Sequence, residues 1–116
     1  MSDVAVAQNL FREAFPVKRY GKVDAALFEA YRFLKPKVEP RIERKFTMRR
    51  VRSLHEGSLK RVDGAELDAL KEAKIEEMKR ERKEIIERLA ALESRLASND
   101  PLSVSEAISE GRDQAA

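Results

Sequence analysis

The 116-residue sequence contains no cysteine and no tryptophan, one histidine, four glycines and four prolines, and only 6% of its residues are aromatic. Without cysteine there is neither a disulfide framework nor a thiolate metal site, and His55 alone cannot build a histidine-rich one. No apolar run approaches the roughly 20 residues needed to cross a bilayer. The opening MSDVAVAQNLFREAF lacks the charged front and apolar run of a secretory signal. The reading is a cytoplasmic protein with no membrane partner, no metal and no cofactor. A glycine-rich phosphate loop is missing too, as is any Ser, His and Asp set in a catalytic context. Enzymatic activity is therefore not expected.

Charge is abundant: 39% of the residues are charged and 42% hydrophobic, enough for one modest core. The net charge of +3 conceals an uneven distribution. Residues 1–62 carry 15 basic and 7 acidic side chains, residues 63–98 carry 8 and 10, and residues 99–116 carry 1 and 4. Within the basic part, the window Arg41–Arg61 holds eight basic residues against Glu43 and Glu56. That density suits a polyanion-binding surface.

The apolar spacing predicts an all-α chain. Ala7, Leu10, Phe11 and Ala14 share one helical face, with Ser2 or Asp3 as N-cap and Pro16 as the stop. VKRYGK reads as a basic turn. VDAALFEAYRFLK then reads as a nearly all-apolar helix with Asp24 as N-cap, Val23 stapled to Phe28, and its end at Lys35 because of Pro36. A short helical turn through PRIERK is the next expectation, anchored by Ile42.

The stretch KFTMRRVRSLHEG is better specified. Thr47 suits an N-cap, Phe46 and Val51 make a hydrophobic staple, and Gly57 suits the left-handed closing position. Met48, Val51, Leu54 and His55 share the inward face, while Arg49 and Ser53 point outward with Arg50 and Arg52 on the flanks. Two arginines thus occupy the first turn, where the helix dipole favours anions by about 0.3–1 kcal/mol per group. The next helix start, VDGAEL, instead places Asp63 and Glu66 in the capping-box positions. The contrast within one chain suggests that an anion sits over Arg49 and Arg50, with DNA phosphates and guanine edges the obvious candidates.

These residues also carry a resemblance. FTMRRVRSLHEG followed by SLKRVDGAELDAL resembles the recognition helix and following helix of helix-turn-helix regulators of the Cro and lambda-repressor type, over about residues 46–70. Phe46, Thr47, Val51, Leu54 and Gly57 match that pattern, as does the connection through Val62 and Asp63. The resemblance implies base contacts from Met48, Arg49, Arg52 and Ser53, and phosphate contacts from Thr47 and Arg50. Arg44, Lys45, Lys60 and Arg61 flank this surface and extend the expected double-stranded DNA site. The motif's first helix would be either a minimal one from Pro40 to Lys45 or the long one from Asp24 to Lys35.

From Gly64 to about Ser98 neither proline nor a further glycine interrupts a long helix. Ile75, Met78, Arg82, Ile85, Leu89, Leu92 and Leu96 follow alternating steps of three and four, the spacing of a heptad seam. At about 1.5 Å per residue the helix is roughly 50 Å long, more than a small domain can cover. A homodimer is therefore expected, its orientation left open by the charges. Glutamates from Glu72 to Glu87 alternate with Lys and Arg, and read as a solvated surface rather than metal ligands.

The expected organisation is an all-α chain with a small helix-turn-helix-like DNA-binding domain over 1–62, a coiled-coil-type dimerisation helix over 63–98 and a flexible acidic tail over 99–116. The implied function is sequence-specific DNA binding, as a transcriptional regulator or a phage DNA-site-recognition protein. The competing reading is a coiled-coil assembly protein whose seam or tail docks a protein partner and whose basic region contacts RNA or an acidic surface.

Overall fold

A computed structural model describes residues 2–98. The order is α1 (Asp3–Ala14), α2 (Val17–Tyr20), α3 (Val23–Val38), a 3-10 turn (Glu39–Arg41), α4 (Met48–Glu56) and α5 (Gly64–Ser98). The all-α expectation holds. Two compact units divide the chain at Lys79 and Arg80, the first being Met1–Lys79. The expected acidic tail lies outside the described residues.

Local signals set most helix ends. Ser2 caps α1 by accepting from the Ala5 N–H at 3.2 Å, and Thr47 caps α4 by accepting from the Arg50 N–H at 3.2 Å. Gly57 closes α4 in the left-handed conformation at φ 72°, and its N–H and that of Ser58 both donate to the Ser53 carbonyl. Phe46, Val51 and Leu54 are buried together with Phe11, Phe15, Leu27, Leu34, Val38 and Leu70 in one core. Against this core α4 packs on both α1 and α3.

Several expectations need correction. The second long helix does not end at Lys35 but runs through Pro36 to Val38. Proline there lacks an N–H and forgoes one helix bond, yet Leu34 and Val38 are fully buried, and their burial outweighs that loss. Lys22, not Asp24, occupies its N-cap position, and Val23 and Phe28 are both exposed, so no buried staple forms. VKRYGK is one helical turn, α2, closed by Gly21.

No helix spans Pro40 to Lys45. The 3-10 turn ends at Arg41 and Ile42 is extended at φ −122°, ψ 160°. Glu39 explains this path. Its carboxylate accepts the Phe46 N–H at 2.8 Å and an ion pair from Lys35 at 3.2 Å, so the chain bends through 42–44 and brings Phe46 into the core. The Phe46 N–H, followed by Lys35, holds the Glu39 carboxyl below the usual carboxylate range.

The first unit also reaches beyond residue 62. Ala65, Ala69, Leu70 and Ala73 of α5 belong to its core, the three alanines leaving room for close packing and Leu70 filling it. The start of α5 is therefore a structural wall of this unit as well as the beginning of a seam.

The two glycines of α4 and α5 make a matched test. Gly57→Ala forces alanine into the left-handed region and its Cβ would come within 2.7 Å of the Gln8 side chain; urea unfolding should show a loss of about 1–2 kcal/mol. Gly64 meets nothing within 4 Å, so Gly64→Ala should instead gain about 0.4–1 kcal/mol.

Candidate nucleic-acid interface

Helix α4 presents the expected two faces. Val51 and Leu54 face inward, while Thr47, Arg49 and Arg52 are exposed and Ser53 is half-buried. Thr47, Arg49, Arg50, Ser53 and Leu59 line an open hollow of about 210 Å³ beside the start of the helix. Met48 is half-buried and packs against the core.

Arg50 is engaged with an anion inside the chain. Its Nε donates to Glu66 Oε2 at 2.7 Å and its Nη2 to Glu66 Oε1 at 2.7 Å, a bidentate pair. Nη2 also donates to the Arg61 carbonyl at 3.0 Å. Glu66 Oε1 in turn accepts the Asp63 N–H at 2.9 Å, completing the acidic half of the capping box. The Glu66 side chain is 1% exposed and that of Arg50 22%. Hydrogen bonding to Glu66 raises the Arg50 pKa further, keeping the guanidinium charged. Arg50 therefore joins α4, the 58–63 connection and α5; it does not stand open as a phosphate contact.

The other cations of the Arg41–Arg61 window divide cleanly. Arg44 pairs with Asp63, Arg41 with Asp68 at 3.0 Å, and Arg52 more loosely with Asp24 at 3.8 Å. Among the described residues, Lys45, Arg49, Lys60 and Arg61 have no carboxylate within ion-pair distance of their charged groups. Arg49 is in the first turn of α4 and lines the hollow, Lys45 comes two residues before its cap, and Lys60 and Arg61 follow Leu59, with the Arg61 carbonyl held by Arg50. Four cations thus have carboxylate partners, only that of Arg50 being fully buried, and the other four have none within ion-pair distance among the described residues.

His55 is packed rather than poised for proton transfer. Its ring lies edge-on to Phe11 with centroids 5.6 Å apart, and its carbonyl accepts from Gln8 Nε2 at 3.2 Å and from Arg12 Nε and Nη2 at 3.2 and 3.1 Å. These side chains from α1 satisfy the end of α4. The acidic surface of α5 needs one correction, since Glu77 is 2% exposed and accepts from Arg19 Nε at 2.8 Å. The helix period alone placed it among solvated glutamates; its partner lies 58 residues away and left no local signal.

Among the described residues no group of three His, Cys, Asp or Glu side chains could hold a metal ion, and no helix is long and apolar enough to cross a membrane. Comparison with protein-family models, curated proteins and solved structures finds no match to this chain.

Burial, followed by the charge of Arg12, lowers the His55 pKa below its ordinary value near 6.5. The folded state then binds fewer protons at this site than the unfolded chain, so its contribution is complete above about pH 6.5 and is lost as pH falls from there towards the folded pKa. An NMR titration should place the His55 midpoint below 6.5, and Arg12→Ala should move it upward.

Proposed function

We propose that this protein binds double-stranded DNA through the outward face of α4, acting as a sequence-specific regulator or a phage DNA-site-recognition protein and working as an oligomer. The observation that carries the reading is that Lys45, Arg49, Lys60 and Arg61 have no carboxylate within ion-pair distance among the described residues, beside a helix whose opposite face is core. The same fold pairs Arg50 with a buried carboxylate and Arg41, Arg44 and Arg52 with more exposed ones, so acids are at hand. Leaving the other four outward keeps a local positive potential that attracts a polyanion.

Arg49 and Ser53 serve as the base-reading pair, one turn apart on α4 and both on the wall of the hollow. Thr47 remains close to the backbone path. Lys45, Lys60 and Arg61 hold phosphates on either side, and Arg52 and Arg44 add to the field while tied to Asp24 and Asp63. Arg50 positions this face by fixing α4 on Glu66. The helix-turn-helix resemblance supports the assignment of α4 as recognition helix; α3, extended by the 3-10 turn, is the element that precedes it.

A second reading has its own support. The large apolar side chains left exposed are mostly on α5, as expected for an assembly protein whose basic end meets RNA or an acidic partner. Fluorescence titrations with duplex DNA, RNA and an acidic polypeptide at two salt concentrations separate the two. Duplex DNA should bind tightest. Arg49→Ala should weaken it by about 1–3 kcal/mol and relax base preference, while Lys60→Ala should weaken all duplexes alike and lower the salt slope by about one. Unchanged duplex binding by both variants, or tighter binding of the acidic polypeptide, contradicts the proposal.

A further inference from the structure

Helix α5 leaves Ile75, Met78, Ile85, Ile86, Leu89, Leu92 and Leu96 exposed, from 44% at Leu92 to 65% at Ile85. In heptad terms Ile75, Arg82, Leu89 and Leu96 occupy the a positions and Met78, Ile85 and Leu92 the d positions. The flanking e positions are then Lys79, Ile86 and Glu93, and the g positions Lys74, Glu81, Arg88 and Arg95. These flanks decide which way a second helix can lie.

In a parallel pair, equivalent a residues meet, so Arg82 would face Arg82 of the second copy inside the seam. Each g residue would face the following e residue: Lys74, paired in its own chain with Glu13 at 2.8 Å, would meet Lys79, paired with Glu76 at 3.6 Å; Glu81 would meet Ile86, and among the described residues only Arg88 with Glu93 would attract. In an antiparallel pair, a residues face d residues, e faces e and g faces g. Setting Ile85 against Leu89 of the second copy gives Met78 on Leu96 and Arg82 on Leu92, each occurring twice. On the flanks, Lys79 meets Glu93 and Glu81 meets Arg95, also twice each. Ile86 then meets Ile86 at the twofold axis, which accounts for the apolar residue that widens the seam. Arg82 stands beside Glu93 of the second copy. Among the described residues the one like-charge contact is Arg88 with Arg88, at the solvent edge.

Sliding by one heptad worsens the charge match. In one direction Glu81 meets Arg88, but Lys74 meets Arg95 and Glu72 meets Glu93; in the other Arg88 meets Arg95 while the overlap shortens. Exposed pairs of this kind contribute little individually, so they select orientation and register while the apolar seam supplies affinity.

We infer that a second copy of this chain covers the exposed face of α5 as an antiparallel helix, with Ile85 seated on Leu89 of that copy. This deepens the oligomeric part of the functional reading above, and its test needs no DNA, so failure here is distinct from failure of the DNA assignment. The natural chain has no cysteine, which makes single cysteines clean reporters. In a glutathione redox buffer, an equimolar mixture of Ile85→Cys and Leu89→Cys chains should form a disulfide heterodimer, and neither variant should cross-link by itself. By sedimentation equilibrium the unaltered chain should be a dimer. Glu81→Lys or Arg95→Glu should weaken that dimer about tenfold, and the two changes together should restore it. Circular dichroism verifies that each variant remains helical. Cross-linking of either single-cysteine variant with itself, absence of rescue in the double charge reversal, or a chain that is monomeric, trimeric or tetrameric across the micromolar range would overturn the inference.

Discussion

The bidentate contact between Arg50 and Glu66 is the interaction on which the arrangement of the first unit turns. It joins residues 16 positions apart, on two different helices, with one partner almost wholly buried. A buried carboxylate is costly unless its oxygens are occupied. Here the guanidinium takes both oxygens and the Asp63 N–H shares one of them, while the same guanidinium binds the Arg61 carbonyl in the connecting loop. One ion pair thereby fixes the orientation of α4, the course of the loop and the start of α5. The outward presentation of Arg49 follows from that orientation, because residues adjacent on a helix point about 100° apart.

The pair also changes the meaning of two arginines at the start of a helix. The guanidinium of Arg50 does have an anionic partner, the chain's own Glu66, while the backbone N–H of Arg50 is taken by the Thr47 hydroxyl. Asp63 and Asp68 perform the same service for Arg44 and Arg41. The acids at the start of α5 thus neutralise the part of the basic window that faces them. What remains is a smaller, better-defined cationic patch of Lys45, Arg49, Lys60 and Arg61, and the proposal of DNA binding rests on these rather than on the net charge of the window.

Much of the fold was legible because its signals are local. Thr47, Gly57, Ser2 and the Asp63–Glu66 box each act within four residues, and the structure uses all of them. Pro36 misled because its local penalty is outweighed by Leu34 and Val38, whose burial depends on the tertiary core. The turn after α3 misled for a similar reason: the side chain of Glu39 takes the Phe46 N–H, a choice no helical period reveals. In the candidate site, the outward face of α4 could be read from periodicity, whereas the division into paired and unpaired cations could not. Arg44 and Asp63 lie 19 residues apart, Arg19 and Glu77 lie 58 apart, and ion pairs at such separations leave no mark in composition or spacing.

The central claim is that Arg50 is a structural partner of Glu66 whose role is to hold the α4 surface in place. A double-mutant cycle with Arg50→Met, Glu66→Leu and their combination, read by urea unfolding, measures that coupling most directly. Each single change leaves one charge without its partner and should cost about 3 kcal/mol, and the combined variant should recover much of the sum, with a coupling energy above about 1 kcal/mol. Single changes with small, independent and additive effects would contradict the account.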